Sequence, residues 1–169
     1  MSASTQPSSS GIQLLILVLF AAAAIGLVWK FTGPGELTGT RDPSVGTPLP
    51  PIALQPLTGG AVPVTTESLR GKVALINIWG TWCPPCRQEF PHLAALEKEL
   101  RDRPDFRFVS VSCGGGEEDQ AELTAETTQF LAEQIVTHPT WWDPIFTTRD
   151  ALTATIKFNG YPTTVVIDR

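Results

Sequence analysis

The sequence predicts an α/β domain built around a central sheet and carried behind an apolar N-terminal segment. Short β-branched runs alternate with runs of helical period (strand, helix, strand, helix, strand) from about residue 72 to residue 168. Ile12 to Trp29 forms a separate stretch of 18 residues in which only Gln13 is strongly polar. Apolar residues make up 42 % of the 169, enough for a packed core.

The first 29 residues carry no charged side chain. Residues 1–11 are expected to be a disordered tail and residues 12–29 a transmembrane anchor, since 18 helical residues span about 27 Å. A cleaved signal peptide is the alternative, suggested by the AAAA run. It is disfavoured because the n-region lacks Lys and Arg and the apolar run exceeds a usual h-region. Lys30 and Arg41 follow the helix, which by loop charge alone favours a cytoplasmic C-terminal domain. Residues 30–51 (TGPGELTGTRDPSVGTPLPP within them) read as a Gly/Pro-rich linker, and the folded domain is expected over 52–169.

Within that domain, IALQPLTGGAVPV reads as two short strands joined at Gly59-Gly60. Thr66–Gly71 is a turn, and KVALINIW is a buried central strand bounded by glycine. From Pro84 to about Arg101 the spacing of Phe90, Leu93, Leu96 and Leu100 predicts a helix, with Glu97, Lys98 and Arg101 on its wet side. FRFVSVSC returns to strand, and GGGEED is a loop. A second helix from Gln120 places Leu123, Thr127, Phe130, Leu131 and Ile135 on one face, ending at His138-Pro139. A short helix over Asp150–Lys157 and a strand TTVVID (163–168) complete the pattern.

Net charge is −5 and no basic cluster occurs, which argues against nucleic acid as a partner. The acidic residues between Glu117 and Glu133 read as a solvated helix face. The chemistry lies in WGTWCPPCRQEFP (79–91). Cys83 stands where a helix begins, so unpaired backbone N–H groups and the positive dipole end favour its thiolate. Pro84 and Pro85 occupy the first turn, where a missing N–H costs nothing. Cys86 lies about one turn on, within disulfide reach, and is expected to be the more buried. Cys83 then attacks a substrate disulfide and Cys86 resolves the mixed disulfide. A structural zinc site would need four ligands, and only Cys113, His92 and His138 remain, singly placed. A static disulfide here would close too short a loop to stabilise much. Cys113 ends an apolar strand and reads as a small buried hydrophobe, with a functional third thiol as the alternative. His92 and His138 read as surface or helix-end residues. Trp141 and Trp142 read as packing, with groove lining as the alternative.

KVALINIWGTWCPPCRQEFPHLAAL resembles the active-site segment of membrane-anchored, thioredoxin-like thiol–disulfide oxidoreductases, the TlpA/ResA/DsbE group. Trp79 stands four residues before Cys83, Trp82 precedes it directly, Glu89 lies in the QEFP run, and Pro91 falls eight residues after it. Gly160-Tyr161-Pro162-Thr163 occupies the place of the family's cis-proline loop. The resemblance covers about Leu49 to Asp168 and implies a thioredoxin-like mixed sheet flanked by helices. It also implies a cis Tyr161–Pro162 bond beside the cysteines, with Trp82, Tyr161 and Pro162 facing substrate. Thioredoxin carries a buried Asp six residues before its nucleophile, whereas this chain has Asn77. An amide cannot take the resolving cysteine's proton, so water or another carboxylate must, and Glu89 is the candidate carboxylate. The family's fold continues past the last strand with an edge strand and closing helix, so the domain is expected to be C-terminally incomplete, as a fragment would be.

The implied activity is thiol–disulfide exchange outside the cytoplasm, with protein thiols and disulfides as substrates, a membrane protein as electron donor and no bound cofactor. As a member of this group the chain would reduce rather than oxidise, and apocytochrome c is among the implied substrates. An oxidase or isomerase of the same fold, a peroxidase, and a non-enzymatic peptide-binding module are the rivals. The peroxiredoxin signature Pro-x-x-x-Thr-x-x-Cys is absent, since no proline stands in the stretch before Cys83.

Overall fold

The computed structural model describes residues 9–32, 42–116, 119–158 and 160–169. It divides into two units, residues 1–45 and 46–169. In the first, helix α1 covers Ser9–Thr32. Side chains on α1 are described from residue 11 to residue 24, and Leu14, Leu15, Leu17, Leu19 and Phe20 each expose more than half of their surface. Among the described residues no helix is long and apolar enough to cross a membrane. The anchor over 12–29 therefore rests on the sequence pattern, and the tail over 1–8 and the linker over 33–41 lie outside the described residues.

The second unit is a six-stranded mixed sheet in the order β2-β1-β5-β4-β3-β6. Its strands are β1 (Ala53–Thr58), β2 (Val64–Thr65), β3 (Val73–Trp79), β4 (Phe106–Ser112), β5 (Thr140–Trp142) and β6 (Thr163–Ile167). Helices α2 (Pro84–Leu100), α3 (Gln120–Glu133) and α4 (Thr147–Ile156) connect them, and a 3₁₀ turn, Glu67–Leu69, precedes β3. β3 is the continuous apolar run, and it is interior to the sheet. It pairs in parallel with β4 from Val73↔Phe106 to Trp79↔Ser112 and antiparallel with β6 from Ala74↔Ile167 to Ile78↔Thr163. A strand covered on both faces needs apolar residues on both, hence the absence of alternation. Ala74, Ile76, Ile78, Val109 and Val111 are almost fully buried, each of the larger ones contributing about 1.5–3 kcal/mol relative to exposure. β6 stands at one end of the strand order, with Val166 exposed.

Three expectations fail in instructive ways. Glu97 is buried rather than wet, because it falls seven residues after Phe90 on the inward stripe of α2; Arg101 pairs with it at 2.7 Å. Ile135 is 91 % exposed. The helix stops at Glu133 and Ile135 takes a left-handed φ of 55°, so the helical phase no longer sets its direction. His138 is buried, with its ring 5.6 Å from Phe90 and 5.1 Å from Phe108, and neither ring nitrogen has a hydrogen-bond partner among the described residues. Trp141 and Trp142 are core residues, the former donating from Nε1 to the Val62 carbonyl at 2.7 Å.

Candidate active site

Parallel β3 and β4 place the loop after β3 at the carboxyl end of the sheet, where open α/β folds gather ligands. Gly80 to Trp82 make that loop, and Cys83 is the N-cap of α2, with extended backbone (φ −93°, ψ 108°). Its Sγ accepts from the Cys86 N–H at 3.3 Å, satisfying one of the donors that every helix start leaves unpaired. Cys83 and Cys86 form a disulfide, with Cα atoms 5.3 Å apart. Both are buried, Cys83 at 3 % and Cys86 at 2 % exposure, so the expected difference between them is slight. The bond holds both sulfurs in one cluster with Trp79, Phe90 and Phe130.

Trp79 forms the floor of that cluster. Its ring lies 4.8 Å from Phe90 and 5.2 Å from Phe130, and its Nε1 donates to Ser110 Oγ at 2.8 Å. Pro91 lies inside α2, on its exposed face. Trp82 is 48 % exposed, donates from Nε1 to the Cys113 carbonyl, and meets Tyr161 edge-on at 5.3 Å. The Tyr161–Pro162 bond is cis, and Tyr161 packs against the cysteine cluster. A cleft of about 470 Å³ opens on the Trp82 side of the motif, lined by Thr81, Trp82, Arg87, Glu126 and Phe130 among others.

Asn77 is buried and directly opposite Thr164 on β6. Its Nδ2 donates to Thr164 Oγ1 at 3.0 Å, and that hydroxyl donates to Glu89 Oε1 at 3.3 Å. Three side chains from β3, β6 and α2 thus form one chain ending in a half-buried carboxylate. The sequence pattern does not single out Thr164. The TT pair after Pro162 was the available signal, but antiparallel register alone decides which threonine faces Asn77. Cys113 is fully buried, yet it adjoins the site: its N–H donates to the Trp79 carbonyl at 2.8 Å and its own carbonyl holds Trp82. The Tyr161 phenol is pushed up by burial first and then by the Cys113 thiol, against the opposing pull of Arg149.

A helix-capping CxxC disulfide facing a cis-proline loop, on this mixed sheet, defines a thioredoxin-like domain. The chain belongs to the AhpC/TSA family, whose family model matches residues 45–169. It is 29 % identical over 123 residues to the thioredoxin-like protein YneN of Bacillus subtilis, covering 73 % of this chain and 65 % of that protein. It is 38 % identical over 91 residues to the thiol:disulfide interchange protein DsbE of Pseudomonas aeruginosa, covering 52 % of this chain and 48 % of that protein. The crystal structure of a thiol:disulfide interchange protein of the thioredoxin family from Chlorobium tepidum superposes with a TM-score of 0.57 at 27 % identity, covering 72 % of this chain and 78 % of that one. The matches thus span about half to two thirds of the length of these curated relatives.

Proposed function

We propose that this chain is a thiol–disulfide oxidoreductase that reduces disulfides of extracytoplasmic proteins, tethered to the membrane by residues 12–29. The observation that carries it is the Cys83–Cys86 disulfide at the start of α2, in one cluster with Tyr161 of the cis-proline loop. In the reduced protein, the Cys83 thiolate attacks one sulfur of a substrate disulfide and releases the first substrate thiolate. The Cys86 thiolate then attacks Cys83 Sγ, breaking the mixed disulfide and releasing the second. Two electrons pass to substrate, and the electrons ride on the two sulfurs without a bound cofactor. The proton of Cys86 leaves toward solvent through Glu89, which Thr164 holds. A substrate strand pairs with the backbone of Tyr161, and Trp82 and Pro162 line its path.

The names of the relatives, thiol:disulfide interchange protein among them, support exchange as the reaction. The apolar exposed face of α1 supports the anchor. The resemblance to the TlpA/ResA/DsbE group outweighs the loop charge at Lys30 and Arg41 and supports a domain in the periplasm or its equivalent, with a membrane protein as electron donor and oxidised apocytochrome c as a candidate substrate. The test is the reduction potential of the Cys83/Cys86 pair in graded dithiol buffers. A value near about −270 mV supports a reductant, whereas one near about −120 mV makes the chain an oxidant or isomerase. A pair that never cycles leaves only peptide binding.

A further inference from the structure

Behind the cis-proline loop lies a buried ionic cluster that the exchange chemistry does not use. Asp143, just after β5, is 1 % exposed, and Arg149, in the first turns of α4, is 8 % exposed. Asp143 Oδ2 accepts from the Arg149 backbone N–H at 2.9 Å and lies 3.7 Å from Nε of the same residue. The Asp143 carbonyl oxygen accepts from Arg149 Nη2 at 3.3 Å. Phe146, in a left-handed conformation, sets its ring 3.9 Å from the guanidinium carbon. The guanidinium is thus held from several directions, and its Nη1 donates outward to the Tyr161 hydroxyl at 3.0 Å.

Desolvating such a pair costs several kcal/mol per ion before attraction offsets it, so a buried ion pair is a poor source of stability compared with apolar side chains of similar volume. What it supplies is a fixed direction. A rigid guanidinium fork presents its donors in a plane, and here that plane ends on the phenol of the residue that precedes Pro162. Tyr161 in turn lies edge-on to Trp82 and against the cluster of Cys83 and Cys86.

We propose that Arg149, held by Asp143, is a positioning residue for disulfide exchange: it fixes Tyr161, and through it the cis-proline edge on which a substrate strand docks. This rests on the exchange reading above. Asp143 and Arg149 touch neither sulfur; they act through Tyr161.

The test uses the full chain in detergent micelles, reducing insulin with dithiothreitol as electron source. Arg149→Met raises KM for insulin about tenfold, the equivalent of about 1.4 kcal/mol, with kcat within twofold of wild type. Tyr161→Phe, which leaves the Asp143–Arg149 pair intact, raises KM to the same degree. The double variant is no worse than either single variant, because both remove one contact. A KM unchanged in Arg149→Met and Tyr161→Phe, or additive losses in the double variant, overturns the positioning role. So does a drop confined to kcat. If the wild-type pair itself never turns over, the exchange reading falls first and takes this role with it.

Discussion

The indole of Trp82 donates from Nε1 to the carbonyl oxygen of Cys113 at 3.0 Å, across 31 positions of chain, and Gly80 leaves the room for it. A Cβ at position 80 would stand 2.5 Å from Trp82 Nε1 and 2.8 Å from the Cys113 carbonyl oxygen. One of these is backbone of the next strand's end and cannot swing aside. Gly80→Ala is therefore expected to displace Trp82, with a loss of about 1–3 kcal/mol of the kind overpacking brings. Denaturant unfolding followed by tryptophan fluorescence measures both, and a native spectrum with unchanged stability would contradict the contact.

The position of Cys83 at the start of α2 predicts unequal thiols. In the reduced protein, Cys83 is expected to react rapidly with iodoacetamide, while Cys86 and buried Cys113 react slowly. Mass spectrometry of the alkylated protein across pH separates the three sites. Equal slow labelling of Cys83 and Cys86 would count against the assigned roles.

Thr164 links Asn77 to Glu89, so Thr164→Val is expected to slow the resolving step. The mixed disulfide with substrate should accumulate and decay on the order of tenfold more slowly, the effect of about 1.4 kcal/mol. Attack by Cys83 should be unaffected. Rapid acid quench followed by mass spectrometry resolves the two phases, and a single unchanged decay would remove Glu89 from the proton path.

His138 predicts acid sensitivity. Burial first, and Arg101 second, push its pKa down from 6.5 to about 4. Between those values the unfolded chain takes up a proton that the folded one refuses. The contribution is fully present above pH 6.5 and is lost as pH falls toward 4, by an amount on the order of 3 kcal/mol. Urea unfolding at stepped pH measures it. His138→Leu should flatten the profile across that window, and an unchanged slope would assign the acid sensitivity elsewhere.

Much of this molecule is legible in its sequence. The KVALINIW run, the helix opening on Pro84, the Gly59-Gly60 hairpin and the CxxC pair all follow from patterns a few residues long. Periodicity and turn chemistry act locally, so a local reading recovers them. The cis bond at Tyr161–Pro162 was legible only through resemblance, since most X-Pro bonds are trans. The places where polar side chains meet were hidden. Glu97 is buried because its helical phase turns it inward toward a pairing arginine. His138 is enclosed by rings from α2 and β4. Thr164 faces Asn77 through strand register, and Arg149 reaches Tyr161 across the cluster at Asp143. Each of these depends on which element packs opposite, a property of no single segment. The sequence alone determined where the disulfide would form, because one helix start and two cysteines suffice. Only the tertiary structure decided what surrounds it, because burial and hydrogen bonding there join residues up to 87 positions apart.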